Sequence, residues 1–251
     1  MRSCRKHCFN GVKLSSVDDE KKTGKRGKAA PARRPPLDRA HVVDTALRLL
    51  NEVGLEGLTL RRIAKELDVQ APALYWHFTG KQALLDEMAT AMFRTVAASA
   101  PSEEDVGADG TGWQQRLTGM QRALRRGLLA YRDGAKVFGG TRFTDFGHAA
   151  LQESYLRTLV AAGFTPSAAA RALSLAFAFT LGFVTEEQGV YPVPGERREG
   201  YDVAARAERI GAEHPLAAQA GGDLFLNYEE RFEEGLEVLV AGIEAKLLPK
   251  R

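Results

Sequence analysis

The sequence predicts an all-α protein: a small three-helix unit at 38–84 and a larger helical body at 85–251, preceded by a basic arm at 1–37. Three observations predict it. Apolar residues return every three to four positions through each long segment, which is the helical period. No stretch alternates apolar and polar residues as a half-buried strand would, and the sequence contains no internal repeat. Two short helical runs also flank a tight polar turn early in the chain.

Each element follows in order. The arm holds eleven Lys and Arg against three acids, a charge of about +8, so 38–251 is near −5 under a total of +3. It is too poor in apolar residues to offset the entropy of ordering, and disorder is expected there. The charge asymmetry points to a polyanionic partner for the N-terminal end. A helix over Arg39–Val53 places Val42, Val43, Ala46, Leu47, Leu50 and Val53 on one stripe behind Asp38 as N-cap, and Gly54 and Gly57 then break it. Thr59 caps a short helix over Leu60–Leu67. After the turn Asp68-Val69-Gln70, a second covers Ala71–His77, with Pro72 in its first turn where a missing N–H is harmless. Lys81–Ser99 is a longer helix, and Pro101–Gly112 reads as an acidic, glycine-bearing linker. Further helices are expected at Trp113–Tyr131, Leu151–Ala162, Ser167–Glu187 and Asp223–Leu247. The last carries Phe225, Tyr228, Phe232, Leu236 and Ile243 on one face. Residues 189–222 read as a long irregular loop with a short helix near Val203–Ile210.

Composition narrows the function classes. Hydrophobic content of 44% and charged content of 27% describe an ordinary soluble domain. Cys4 and Cys8 both lie in the arm, so no disulfide framework supports the body, as expected of a cytoplasmic protein. Cys4, His7 and Cys8 offer three ligands where structural zinc wants four, so no metal site and no cofactor is expected. No apolar run follows the basic start as in a signal peptide. The stretch Ala168–Val184 is short for a membrane span and contains Arg171, so a buried helix is expected and no membrane partner. No phosphate loop, nucleophile elbow or HExxH motif occurs. An enzyme would have to draw on Glu186, Arg142 or His148, whose spacing supports no reaction, and the expectation is a protein that is not an enzyme.

The two short helices around their turn, with a preceding amphipathic helix, form a helix-turn-helix pattern, whose second helix enters the DNA major groove. Ala64 is small where helices must approach, and Ile63, Leu67, Val69 and Leu74 supply a miniature core. The run Gly57-Leu58-Thr59-Leu60-Arg61-Arg62-Ile63-Ala64-Lys65-Glu66-Leu67-Asp68-Val69, followed by Ala71-Pro72-Ala73-Leu74-Tyr75-Trp76-His77-Phe78, resembles the DNA-binding domain of the TetR family. Tyr131-Arg132-Asp133-Gly134-Ala135-Lys136-Val137 and Phe179-Thr180-Leu181-Gly182-Phe183-Val184 are similar to the ligand domain of its tetracycline-repressor subgroup, and the likeness covers about 38–248.

The resemblance implies a homodimer that binds double-stranded operator DNA and answers to a small molecule. Arg61 would read a base edge, guanine being the natural partner of a bidentate guanidinium. Pro72, Ala73 and Tyr75 would make apolar and edge contacts, and Thr59, His77 and Lys81 would hold phosphates. Subgroup members carry glutamine at Ala71 and threonine at Ala73, so a different operator is expected, with Gln70 a partial substitute. In the effector pocket the family's magnesium-binding histidine is Phe138 here. Its other drug-contacting positions are Ala97, Met120, Leu124 and Ser154, while Thr141, Arg142 and Glu186 persist. Together with Phe177 these imply a more hydrophobic effector bound without magnesium. The segments Ser167–Glu187 and Asp223–Leu247 from two subunits would form a four-helix interface. An activator or global regulator without a small ligand is the alternative.

Overall fold

The structure is a computed structural model that describes residues 37–104 and 112–249. The basic arm, its Cys4, His7 and Cys8, and most of the Pro101–Gly112 linker lie outside the described residues. Within them the chain forms α1 (Arg39–Gly57), α2 (Leu60–Glu66), α3 (Ala71–Leu74), α4 (Lys81–Ser99), α5 (Trp113–Leu129) and α6 (Gly134–Gly139). Then follow α7 (Gly147–Ala161), α8 (Pro166–Val190), α9 (Val203–Gly211), α10 (Pro215–Phe225) and α11 (Tyr228–Leu247). No strand occurs among the described residues beyond an isolated bridge between Val193 and Glu196.

The caps expected at the N-terminal unit are made. Asp38 accepts the His41 N–H at 2.7 Å, and Thr59 accepts the Arg62 N–H at 3.2 Å. α2 closes with Asp68 in the left-handed region (φ 53°), the Val69 N–H reaching back to the Ala64 carbonyl and the Asp68 N–H to that of Lys65. This is the Schellman arrangement, here with an aspartate at the position glycine usually takes.

Several boundaries differ from expectation for local reasons. α1 bends at Gly54 (φ 68°) and continues one turn to Gly57. α3 stops at Leu74 instead of His77, because the N–H groups of His77 and Phe78 both turn back to the Leu74 carbonyl. The Phe78 side chain is then plugged into the core at 1% exposure. α6 falls in a segment for which the sequence predicted no element. A Cβ at Gly134 would stand 2.1 Å from the Leu128 carbonyl oxygen, so the sharp corner between α5 and α6 excludes any other residue. The expected loop at 189–222 holds α9 and the unforeseen α10, packed on each other. α11 starts at Tyr228 because Asn227 (φ 51°) breaks the segment predicted as continuous from Asp223.

Two apolar clusters hold the body together. One runs without interruption from Val42, Leu50, Ile63 and Leu74 through Met88 and Met92 to Leu124, Phe138 and Val184. The second joins Trp113, Leu117, Phe164, Ala172 and Ile243. Each fully buried large side chain contributes about 1.5–3 kcal/mol of transfer free energy. Among the described residues, buried polar side-chain groups are paired except for Arg116 Nε. Arg125 forks onto Glu187 with two bonds of 2.9 Å, reaches Glu229, and lies 5.0 Å over the Phe232 ring. Gln188 closes the α5–α6 corner, donating to the Tyr131 carbonyl at 2.7 Å and accepting the Ala135 N–H at 3.0 Å.

α8 is long and apolar enough, by length and composition, to cross a membrane, and one third of its most apolar window is buried inside the protomer. Its inner face is mostly small, Ala168, Ala169, Ala172 and Ala176, while Leu175 is 50% exposed and Phe177 41%. On α11 the neighbouring Val238 is 74% exposed.

Candidate nucleic-acid interface and ligand cavity

The reading head is held from behind so that its front stays free. Arg39 in α1 donates to the His77 carbonyl at 2.8 Å and to Glu87 of α4 at 3.0 Å, and lies 4.8 Å over the Phe78 ring. Arg48 ties α1 to α2 through Glu66 at 2.6 Å. These two arginines position the helix-turn-helix, and sequence reasoning missed both, because nothing local marks a long-range clamp.

None of the expected DNA-contacting residues is fully buried. Arg61, Gln70, Pro72, Tyr75 and Lys81 are exposed, and Ala71, Ala73 and His77 are half-buried. Thr59, also exposed, accepts the Arg62 N–H with its hydroxyl oxygen and keeps its own proton to donate. Lys81 donates one proton to the Leu55 carbonyl at 3.0 Å and retains two. Trp76, for which the sequence predicted no DNA contact, is 90% exposed beside Tyr75 at 59%. Two aromatic rings standing in water at a helix end are a contact surface awaiting a partner. Ala71 and Ala73 add no hydrogen-bonding group to it.

In the body, a partly open cavity of about 280 Å³ lies among α4, α5, α6, α7 and α8. Met120, Leu124, Phe138 and Phe177 line it, joined by Phe93 and Phe143. The other expected ligand residues stand elsewhere. Thr141 donates its hydroxyl to the Phe138 carbonyl, and Ser154 donates to Glu103 at 2.7 Å and accepts from Arg116. Arg142 and Glu186 are exposed. Sequence reasoning did not place His148, Gln152 or Tyr155 at the cavity, all of which line it, since helical spacing alone cannot show which face meets a void.

The cavity rim is bonded to α4, the helix that begins at the reading head. The Arg142 N–H donates to Asp86 at 3.1 Å, the Thr144 N–H to the Thr90 hydroxyl at 2.9 Å, and Arg94 Nε to Asp145 at 3.0 Å. The Arg94 guanidinium and the Gly147 N–H together hold the Asp145 carboxyl below the usual carboxylate range. A second seam joins α1 to the α5–α6 corner. Asn51 donates to the Ala130 carbonyl and accepts the Arg132 N–H, and Asp133 accepts the Leu55 N–H at 3.0 Å. Among the described residues no group of three or more His, Cys, Asp or Glu is placed to hold a metal ion.

Comparison with known proteins agrees with this geometry. Residues 42–88 match the family model described as bacterial regulatory proteins of the tetR family, and 106–247 match the tetracyclin repressor-like C-terminal domain. The chain is 40% identical to the Escherichia coli tetracycline repressor protein class A from transposon 1721, over 84% of this chain and 92% of that one. The structure of a possible TetR family transcriptional regulator from Streptomyces coelicolor A3(2) superposes with a TM-score of 0.72 at 40% identity, covering 83% of this chain and 99% of that one. A TetR variant from Acinetobacter baumannii AYE, crystallised with minocycline, gives a TM-score of 0.63 at 34% identity over 85% and 99%.

Proposed function

The chain belongs to the TetR family of bacterial regulatory proteins, and from that premise we propose a ligand-responsive repressor that grips a palindromic operator as a homodimer and releases it when a small hydrophobic effector fills the cavity. The observation that carries this reading is the set of bonds from the cavity rim to α4. A ligand that displaces the rim must displace the helix to which the reading head is attached.

Two reading heads presented about 34–36 Å apart meet successive major grooves on one face of the duplex. Arg61 reads a base, Pro72, Ala73 and Tyr75 contact base edges, with Gln70 and Ala71 beside them, and Thr59, His77 and Lys81 fix the register on phosphates. The effector changes the spacing only as far as it binds the DNA-free arrangement better than the DNA-bound one. Residues 38–84 act as the reading unit and 85–251 as the switch and dimer unit, with α4 belonging mechanically to both. The arm adds salt-sensitive phosphate affinity. The work is that of a cytoplasmic regulator and not of an enzyme. Selection of bound duplexes from a random pool tests it, and a palindromic consensus is expected. Retention of no sequence above background at physiological salt overturns the reading.

A further inference from the structure

Among the described residues no Asp, Glu, Lys or Arg lines the 280 Å³ cavity, whose wall combines four phenylalanines and other apolar side chains with five neutral polar residues. A charged or metal-chelated ligand entering it would lose its hydration with no counter-charge to replace it, at a cost of several kcal/mol per ion. Two of the five neutral polar residues on the wall, Gln121 and Tyr155, are engaged within the protomer. Gln121 accepts from the Thr180 hydroxyl at 2.8 Å, and the Tyr155 hydroxyl donates to the Pro101 carbonyl at 3.2 Å.

His148 differs. Its ring lies 5.3 Å from Phe143 and 6.3 Å from Phe146, and its Nδ1 stands 3.0 Å from the Asp145 carbonyl oxygen. A carbonyl only accepts, so Nδ1 carries the proton, and in the neutral ring Nε2 is left with a lone pair. A largely apolar, phenylalanine-bearing cavity with an acceptor held in a fixed orientation recognises a donor on an otherwise apolar aromatic molecule. Asp145, whose carbonyl orients the imidazole, is also the residue that binds Arg94 of α4.

We propose that the effector is an uncharged, planar, fused-ring phenol, packed between the phenylalanines without a metal ion and anchored by its hydroxyl donating to His148 Nε2. His148 is then the specificity-determining residue, and its link through Asp145 to Arg94 carries occupancy to α4. This rests on the cavity being the effector site of the repressor.

The test is calorimetric titration of the full chain with 9-phenanthrol, with its methyl ether 9-methoxyphenanthrene, and with tetracycline plus magnesium. One hydrogen bond made in an apolar site predicts the phenol to bind about tenfold tighter than the ether. His148→Phe is expected to erase that ratio while leaving the ether's affinity within about twofold, since ring packing is kept. His148→Gln, whose amide oxygen still accepts, is expected to retain part of it. Equal affinity for phenol and ether, binding of neither, or tighter binding of the tetracycline chelate overturns the proposal. Operator binding by the ligand-free protein separates the two readings. Operator held with no phenol preference sinks the ligand class alone, and a phenol preference without operator binding sinks the repressor reading.

Discussion

Asp133 joins two requirements at one position. Its backbone is left-handed (φ 56°), which costs most residues about 1–2 kcal/mol but suits aspartate, and its side chain caps the Leu55 N–H while pairing with Lys136 at 3.0 Å. Burial alone would raise its carboxyl, yet the Leu55 N–H and the Lys136 ammonium outweigh that and hold it below the usual range. A depressed folded value makes its contribution complete above the unfolded carboxyl value near 3.9, and that contribution is lost as pH falls through the folded one. Asp133→Ala is expected to cost about 3 kcal/mol in urea unfolding at pH 7. Asp133→Asn, which keeps the acceptor and the turn, should cost about 1 kcal/mol there, with the gap from wild type closing below about pH 4. A gap that widened in acid would contradict the assignment. Gly54 faces the same carboxylate, where an added Cβ would stand 3.0 Å from Oδ2 at φ 68°, so Gly54→Ala should lose about 1–2 kcal/mol. The Arg125–Glu187 fork obeys a different rule. Arg125→Ala strands a buried carboxylate and should cost about 3–5 kcal/mol, whereas the double change Arg125→Met with Glu187→Met removes both charges and should cost clearly less. Equal losses would show that the charge is not what the site needs.

At the scale of elements, the short α3 with the turn after it decides what meets DNA. Only two tryptophans occur in the chain, and Trp113 is buried against Phe164 at 4% exposure, so a change in emission on adding operator reports Trp76. Trp76→Ala should leave the thermal midpoint within about 1 °C, because its side chain touches little, and weaken operator binding about tenfold or more. Unchanged emission would remove Trp76 from the contact. The same comparison explains what was legible beforehand. The bounds Lys81–Ser99 could be read to the residue, since a glycine precedes a strong apolar stripe that ends at Ser-Ala-Pro. Glycine hid α6 and α10, because Gly134, Gly139, Gly221 and Gly222 speak for loop in isolation and only tertiary contact shows why they are helical. In the cavity, Met120, Leu124 and Phe138 were readable as apolar replacements for polar positions, and Phe177 as a further apolar residue beside them. His148 was not, because its role depends on a carbonyl of its own helix entry and on a void among five helices.

At the scale of the whole molecule, the protomer leaves an apolar surface on α8 and α11 that the proposed homodimer would cover. Leu175 on α8 and Val238 on α11 stand in water, and α8 and α11 pack against one another with Phe179 pressed to Gly235. Val238 is the informative position, for at 74% exposure it contributes little to the protomer's own core. Val238→Asp is therefore expected to leave the helical signal and the urea midpoint of the protomer unchanged. In a pair, the same carboxylate is buried without a partner, and about 3 kcal/mol or more of association energy is lost. Sedimentation should show monomers at micromolar concentration, and operator affinity should fall steeply, because one reading head reaches a single half-site. Val238→Leu, which keeps the apolar surface, should behave as the parent. A Val238→Asp protein that still sediments as a dimer would place the symmetry axis elsewhere on the body and would require the spacing of the reading heads to be derived again.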